Sequence, residues 1–292
     1  MIQLVIRLSK FCFLLIITLF FSGCKFEVEG PNLFNHVAGS GKVISEPREV
    51  VKNFDKIQVS SSIDVELEQA PNFEVVVRAD DNIISYIVTE FSGNTLKIYY
   101  DNVSVKNIKE AKVYVKMPNI SALRASSSSE IEAKGIIKSD DLILKTSSTG
   151  EITLFEVHST SLTMEASSSS DIKIERVYTI DFNAQASSTA EIDIEYIESD
   201  KIKLSASSSS DIELKGKALD LEATTSSTGK IDAKELLVNN IIAASSSSST
   251  IDVYPITSLK AKASSASDIY YYNEPQSIEK NTSSSGSVKR KK

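Results

Sequence analysis

Asp200-Lys201-Ile202-Lys203-Leu204-Ser205-Ala206-Ser207-Ser208-Ser209-Ser210-Asp211-Ile212-Glu213-Leu214-Lys215-Gly216 is the stretch from which the fold can be read. Ile202, Leu204 and Ala206 alternate with polar residues, and so do Ile212 and Leu214 beyond the serine run. Period-two alternation places these five on one face of two strands. Ser207–Ser210 is the corner between the strands, and Lys215-Gly216 is read as a second turn. The unit recurs. A run of small polar residues precedes a β-branched anchor at Ile131, Ile152, Ile172, Ile192, Ile212, Ile231, Ile251, Ile269 and Val288, and successive anchors lie 18 to 21 residues apart. A fixed period of this length marks a solenoid, each repeat forming one coil stacked on the last.

Alignment on the anchors produces further apolar columns. Leu142, Leu162, Phe182, Ile202, Leu221, Ile241, Leu259 and Ile278 form one. Leu123, Leu144, Met164, Ala184, Leu204, Ala223, Ala243 and Ala261 form another. Ala133, Leu154, Ile174, Ile194, Leu214, Ala233, Val253 and Tyr271 form a third, beyond the anchor. A disordered serine-rich linker would show no such registration. One coil buries too little apolar surface to offset the ordering of some twenty residues, so the coils must fold by stacking. The expected class is all-β, a parallel β-solenoid of about 20 residues per coil, with its regular part at 119–288. Nine coils at ~4.8 Å each stack to roughly 43 Å.

The corner carries the tightest pattern. Its first position is Ser126, Ser147, Ser167, Ser187, Ser207, Ser226, Ser246, Ser264 and Ser283, and its second is also serine in every copy. Its last position is always Ser, Ala or Gly. Small residues there imply close backbone packing or, at Gly150, Gly229 and Gly286, a positive φ. Stacked hydroxyls can satisfy turn backbone groups and one another, which makes these serines structural. The alternative is a hydroxyl ladder meeting a glycan or ice surface.

Residues 1–23 have the form of a secretory signal: Arg7 and Lys10, an apolar run from Phe11 to Phe21, then Ser22 and Gly23. Phe21-Ser22-Gly23-Cys24 resembles a bacterial lipobox, in which the cysteine becomes the lipid-bearing N-terminus. Lys25 follows it rather than Asp, which points to outer-membrane sorting. The expectation is an outer-membrane lipoprotein, at the cell surface or on the periplasmic face, with residues 24–38 as a lipidated tether. The membrane is then reached through the N-terminal lipid. Cleavage shifts the formal net charge of −7 two units further negative and removes Cys12. No disulfide is then available. The acidic balance argues against nucleic acid as a partner.

Residues 39–118 are less regular. Ile57 to Val65, with Ser60–Ser62 inside it, reads as a shortened coil, and Ser92-Gly93-Asn94 as a hairpin turn. This region is expected to begin the solenoid and cap its first edge. Gly39-Ser40-Gly41, Phe54, Ile57, Val59 to Val65, Asp80-Asp81-Asn82, Tyr86 and Leu96-Lys97-Ile98 resemble the head GIN domain family of auto-transporter adhesins, exported proteins common in Bacteroidetes-type bacteria. The resemblance implies a right-handed parallel β-helix and an adhesive role, and it supplies no catalytic residues.

Direct evidence of chemistry is sparse. His36 and His158 are the only histidines, with no second histidine at metal spacing. There is no G-x-S-x-G elbow, P-loop or dinucleotide fingerprint. The position before the anchor is acidic in five consecutive coils, Glu130, Glu151, Asp171, Glu191 and Asp211, until Lys230 ends the run. A second column carries Glu132, Asp193, Glu213, Asp232 and Asp252, interrupted by Thr153 and Lys173. These read as solvated columns. Ca2+ bridging between coils is the alternative, and no other cofactor is expected.

The leading reading is a non-enzymatic, surface-tethered adhesive module with a glycan or a surface protein as partner. A polysaccharide lyase or hydrolase is the alternative, but it needs cations clustered with acids. Arg48, Arg78, Arg124, Arg176 and Arg290 are widely scattered. A structural envelope component is the third reading. The basic tail, residues 289–292, is expected to blunt the last edge.

Overall fold

The computed structural model describes residues 35–292; the expected signal, Cys24 and most of the expected tether lie outside them. The described residues form twenty strands and one short 3-10 turn at Ile84–Tyr86. None of their helices is long and apolar enough to cross a membrane. Residues 35–38, read from sequence as the end of the tether, form a strand paired with Val103–Lys106.

The regular coils are long continuous strands, from Glu130–Ser147 through Asp171–Ser187 and Glu191–Ser207 to Thr250–Ser264. Each pairs in parallel with the next, and the anchors are in register from Ile131 to Val288. All three apolar columns point inward. Every member is buried except Ile278 in the final coil, which packs partly exposed against the core.

The coil has three faces, not two. In Asp171–Ser187 the buried positions are Ile172 and Ile174, then Val177 and Thr179, then Phe182, Ala184 and Ala186. The phase of alternation breaks where two neighbours both point outward, at Glu175-Arg176 and at Ile180-Asp181. Each break is a corner, and the third corner is the serine run. The first and third faces are the two strands expected from sequence. The second face, with its buried column Ile137, Val157, Val177 and Ile197, is additional. Gly216 does mark a corner, as expected for Lys215-Gly216.

The serine corner is a tight turn with two consecutive left-handed residues. The Gly150 N–H donates to the Ser147 carbonyl at 3.0 Å, and Ser148 and Thr149 lie at φ 50° and 61°. Those are the hallmarks of a type I′ turn. The positive φ therefore falls on the second and third run positions rather than on the glycines. Gly150, Gly229 and Gly286 are there because a Cβ would collide with the preceding coil; at Gly229 it would lie 2.5 Å from the Ala206 carbonyl oxygen. Left-handed backbone costs roughly 1–2 kcal/mol per residue with a Cβ. A ladder of main-chain bonds opposes that cost, running from Ser128 N–H to Ser148 O, Thr149 N–H to Ser168 O, and onward.

Corner chemistry alternates from coil to coil. Ser128, Ser169 and Ser209 donate to Thr149, Thr189 and Thr228 at 2.7, 2.7 and 2.8 Å. These threonines donate in turn to the preceding carbonyl of their own corner. At the last run position, the Ser170 and Ser249 hydroxyls reach Thr146 and Thr225 of the preceding coil at 2.9 and 2.8 Å. The structural repeat at the corner is thus a pair of coils.

The N-terminal region supplies the first coils out of chain order. Lys56–Val59 lies between Thr95–Tyr100 and Ala122–Ser126, parallel to both. Asp64–Gln69 lies likewise between Ala111–Met117 and the strand beginning at Glu130. The shortened coil at 56–69 is therefore second in the stack. Antiparallel strands flank this beginning: Ile87–Ser92 on Thr95–Tyr100, Glu74–Asp80 on Ala111–Met117, and Val43–Pro47 on Glu74–Asp80. Ser92-Gly93-Asn94 makes the expected hairpin, with Gly93 at φ 59°. At the other end Lys289 and Arg290 belong to a strand, paired with Tyr270 and Tyr271.

Candidate interaction faces

Each face of the coil presents its own surface. The first carries the acidic columns. The register places Glu130, Glu151, Asp171, Glu191 and Asp211 on successive coils, with Lys230 next. Asp64, which sequence reading left out, extends the column and faces Lys112 on its far side. Six acids thus run between two lysines. Burial pushes the Glu130 and Glu191 carboxyls up, and the neighbouring carboxylates Asp64 and Asp171 add to it. Lys173, from the second column, reaches Glu151 at 2.9 Å and Asp171 at 3.7 Å. Burial also raises Asp193, whose Oδ1 is enclosed without a hydrogen-bond partner. Among the described residues, no group of three or more His, Cys, Asp or Glu is disposed to hold a metal ion. The five calcium candidates form a line, not a cage.

The second face is different in kind. His158 and Tyr178 stack at 4.9 Å between ring centres, and Tyr178 and Tyr196 at 6.2 Å. The Arg176 guanidinium lies 4.3 Å over the Phe155 ring while its Nε donates to Glu156 at 2.8 Å. His158 Nε2 contacts the other Glu156 oxygen at 2.7 Å. The hydrogen bonds from His158 and Arg176 hold the Glu156 carboxyl below its ordinary value. Further along, Lys217 pairs with Glu198 at 3.0 Å. Ile180, Leu219 and Leu237 are each about half exposed. Glu198, Lys217, Leu219, Leu237, Asn239 and Ile256 line a hollow of about 340 Å3. The result is an aromatic and aliphatic stripe in which Glu156, Arg176 and His158, and Glu198 and Lys217, are paired, while Asp200 stands between Ile180 and Leu219.

The third face holds a trough of about 480 Å3. One rim is Asp181, Lys201, Asp220 and Asn240, in register on successive coils. The other is Asn183, Lys203, Glu222 and Ile242.

The remaining sequence candidates are dispersed. His36 is exposed on the first described strand, while His158 belongs to the stripe. Arg48, Arg78, Arg176 and Arg290 each pair with a different acid, Glu46, Glu110, Glu156 and Glu274. They form no cationic cluster. Gly39-Ser40-Gly41 and Asp80-Asp81-Asn82 meet as a clasp. Buried Asp80 accepts from the Gly41, Lys109 and Glu110 N–H groups at 2.8, 3.1 and 3.3 Å. Ser40 donates to Asp81, and its N–H to Asn82. A Cβ on Gly39 would overlap the Asp80 carboxylate. These motif residues hold the first described segment onto the cap.

Register, burial and corners together define a parallel β-solenoid whose outward surfaces are specialised face by face. A family model described as "Putative auto-transporter adhesin, head GIN domain" matches residues 53–176 and again 165–275. The chain belongs to this family. Three crystal structures share the fold over 88% of this chain and 100% of their own. They are a putative adhesin from Parabacteroides distasonis (20% identity, TM-score 0.68), one from Parabacteroides merdae (18%, 0.65) and a putative lipid binding protein from Parabacteroides distasonis (21%, 0.63). No curated protein matches the chain.

Proposed function

We propose that the chain is an exported, non-catalytic adhesive lipoprotein, attached to the outer membrane through Cys24, that docks a protein partner on its second face. The family supports an adhesin-like module, and the lipobox-like Phe21-Ser22-Gly23-Cys24 supports the anchor. The observation that carries the docking surface is the stripe itself. Ile180, Leu219 and Leu237 stand half exposed along the same face of the stack as the Tyr178–Tyr196 pair. Contiguous exposed apolar surface rimmed by polar residues is characteristic of interaction sites. Tyrosine and arginine are enriched in protein–protein interfaces. Glu156–Arg176 and Glu198–Lys217 are satisfied within the stripe and call for no charged ligand.

The test is attachment of cells carrying the full chain to an array of purified matrix proteins. Tyr178→Ala/Tyr196→Ala and Leu219→Ser/Leu237→Ser should each reduce attachment, with unchanged melting and surface level. Attachment equal to wild type in both variants would refute the docking face. Cys24→Ser should release the chain from the membrane fraction; retention there would refute the lipid anchor.

A further inference from the structure

The third-face trough has no part in the stripe and differs from it chemically. Its two rims stand two residues apart along each strand, roughly 6.6 Å, and repeat with every coil at ~4.8 Å. Four coils contribute rim residues, so the trough runs along the stack and across the strands. The rim groups are carboxylates, amides and ammonium groups. The first rim reads acid, base, acid, amide and the second amide, base, acid, aliphatic, so three acids and two bases are interspersed and the trough carries a net charge of −1. Several rim groups are already held in place. Asn240 donates to Asp220 at 3.0 Å and accepts from Ser258 at 2.9 Å, and Lys203 lies 3.4 Å from Glu222. Groups fixed before binding lose less freedom when a ligand arrives.

These features select among linear ligands. A peptide strand cannot add to this surface by backbone pairing, because the coils already pair in parallel on both sides. A polyanion or polycation meets charges of both signs along the rims, so neither finds a uniform field. A neutral glycan fits: its hydroxyls match alternating acceptors and donors, and its apolar ring faces match the exposed Ile242 side chain and the aliphatic stems of Lys201 and Lys203. One sugar unit of an extended glycan is comparable in length with one coil. We infer that the trough rimmed by Asp181, Asn183, Lys201, Lys203, Asp220 and Asn240 binds an extended neutral oligosaccharide, one sugar per coil.

The experiment is calorimetric titration of the full chain in detergent with neutral β-linked glucose and N-acetylglucosamine oligomers of two to six units. Hexuronate oligomers serve as the charged comparison. Affinity should rise with length to four units and then level. Asp220→Ala/Asn240→Ala should weaken the tetramer about tenfold, as expected for lost hydrogen bonds to a charged group. Asn183→Arg, which fills the trough, should do the same. All three positions are on the outer surface, and thermal melts confirm that the variants fold. Tyr178→Ala/Tyr196→Ala should leave this binding unchanged, so that the trough and the stripe fail separately. No heat from any neutral oligomer, equal binding in both trough variants, or tighter binding of the hexuronate would each overturn the inference.

Discussion

Gly216 lies against the backbone of Ile197, its register partner in the preceding coil, so closely that a Cβ would overlap the Ile197 carbonyl oxygen and come 2.8 Å from its nitrogen. Gly216 sits at φ 131°, a conformation that residues with a side chain rarely adopt. The coil from Ile212 to Ile231 is one residue shorter than its predecessor, and the register shifts here. Glycine is what lets the shorter path close. Gly216→Ala should destabilise by on the order of 2–4 kcal/mol in thermal or denaturant melts. Inserting one residue after Lys215, which restores the longer coil, should recover part of that loss. An unchanged melt for Gly216→Ala would show that the corner relaxes freely.

The period, the anchors and the inward columns are legible in the sequence because serine runs and isoleucines recur at fixed spacing. The second face is not, for a local reason. Two outward residues, such as Glu175-Arg176, break the alternation before it, and two more, Ile180-Asp181, break it after. Between them lie only two inward positions, and one of these is polar: Ser159, Thr179 or Ser199. So brief a phase resembles a turn. With that face hidden, the stripe of His158, Tyr178 and Tyr196 has no visible neighbours, since the rings meet only across coils. The acidic column was readable because its members share one offset from the anchor. Asp64 escaped because its coil enters the stack out of chain order, an arrangement set by long-range pairing. The sign of φ at the corner was misplaced because glycine suggests backbone freedom. Here it answers a lack of space.

Ala266 isolates the strain of the serine corner. It occupies the third run position at φ 58° but has no hydroxyl to join the ladder, unlike Ser248 or Thr228. Glycine relieves the left-handed penalty of roughly 1–2 kcal/mol, less the extra backbone entropy it loses on folding. Ala266→Gly should therefore stabilise by about 0.5–1 kcal/mol. Thr189→Gly, which also loses hydrogen bonds to Ser169 and Ser188, should gain less or nothing. A destabilised Ala266→Gly protein would mean that the turn carries no such strain.

The acidic column should make stability depend on pH with a definite sign. Burial first, and like charge second, raises Glu130 and Glu191, and burial raises Asp64. A carboxyl raised in the folded chain contributes stability that is complete below its ordinary value of about 4 and is lost as pH rises through the folded value. Acidification from pH ~7 to ~5 should therefore raise the melting temperature. Asp81 and Glu156 are lowered, so their contribution disappears only at lower pH, as it falls through their depressed values. Glu191→Gln should melt higher than wild type at neutral pH and gain less on acidification. Added salt should act in the same direction by screening the column. Millimolar Ca2+ against chelator is expected to shift the melt modestly at most, because the acids form a line between Lys112 and Lys230. Wild-type stability that falls steadily from pH 7 to 5 would contradict the electrostatic account.

The paired corners define which pieces of the solenoid can be removed. Deleting residues 171–210 joins Ser170 to Asp211, reproducing the existing Ser-Ser-Ser-Ser-Asp sequence, and brings Ser169 opposite Thr228, as it now faces Thr189. Core columns remain apolar across the junction, with Leu162 meeting Leu221 and Ile152 meeting Ile212. Stacked repeats draw stability from nearest neighbours, so removing two coils leaves each remaining interface of a kind already present. The shortened chain should keep its β circular dichroism and melt cooperatively. Deleting residues 171–190 alone sets Ser169 against Ser209 and removes a threonine partner. That single-coil deletion should be the less stable of the two, by about 1–2 kcal/mol from the lost corner bonds, although it removes fewer residues. The two-coil deletion also takes away Arg176, Tyr178, Ile180 and Tyr196 from the stripe and Asp181, Asn183, Lys201 and Lys203 from the trough. It should therefore lose matrix-protein attachment and oligosaccharide binding together while remaining folded. Retention of either activity would place that site outside these two coils, and a single-coil deletion more stable than the double would remove the pair of coils as the unit of construction.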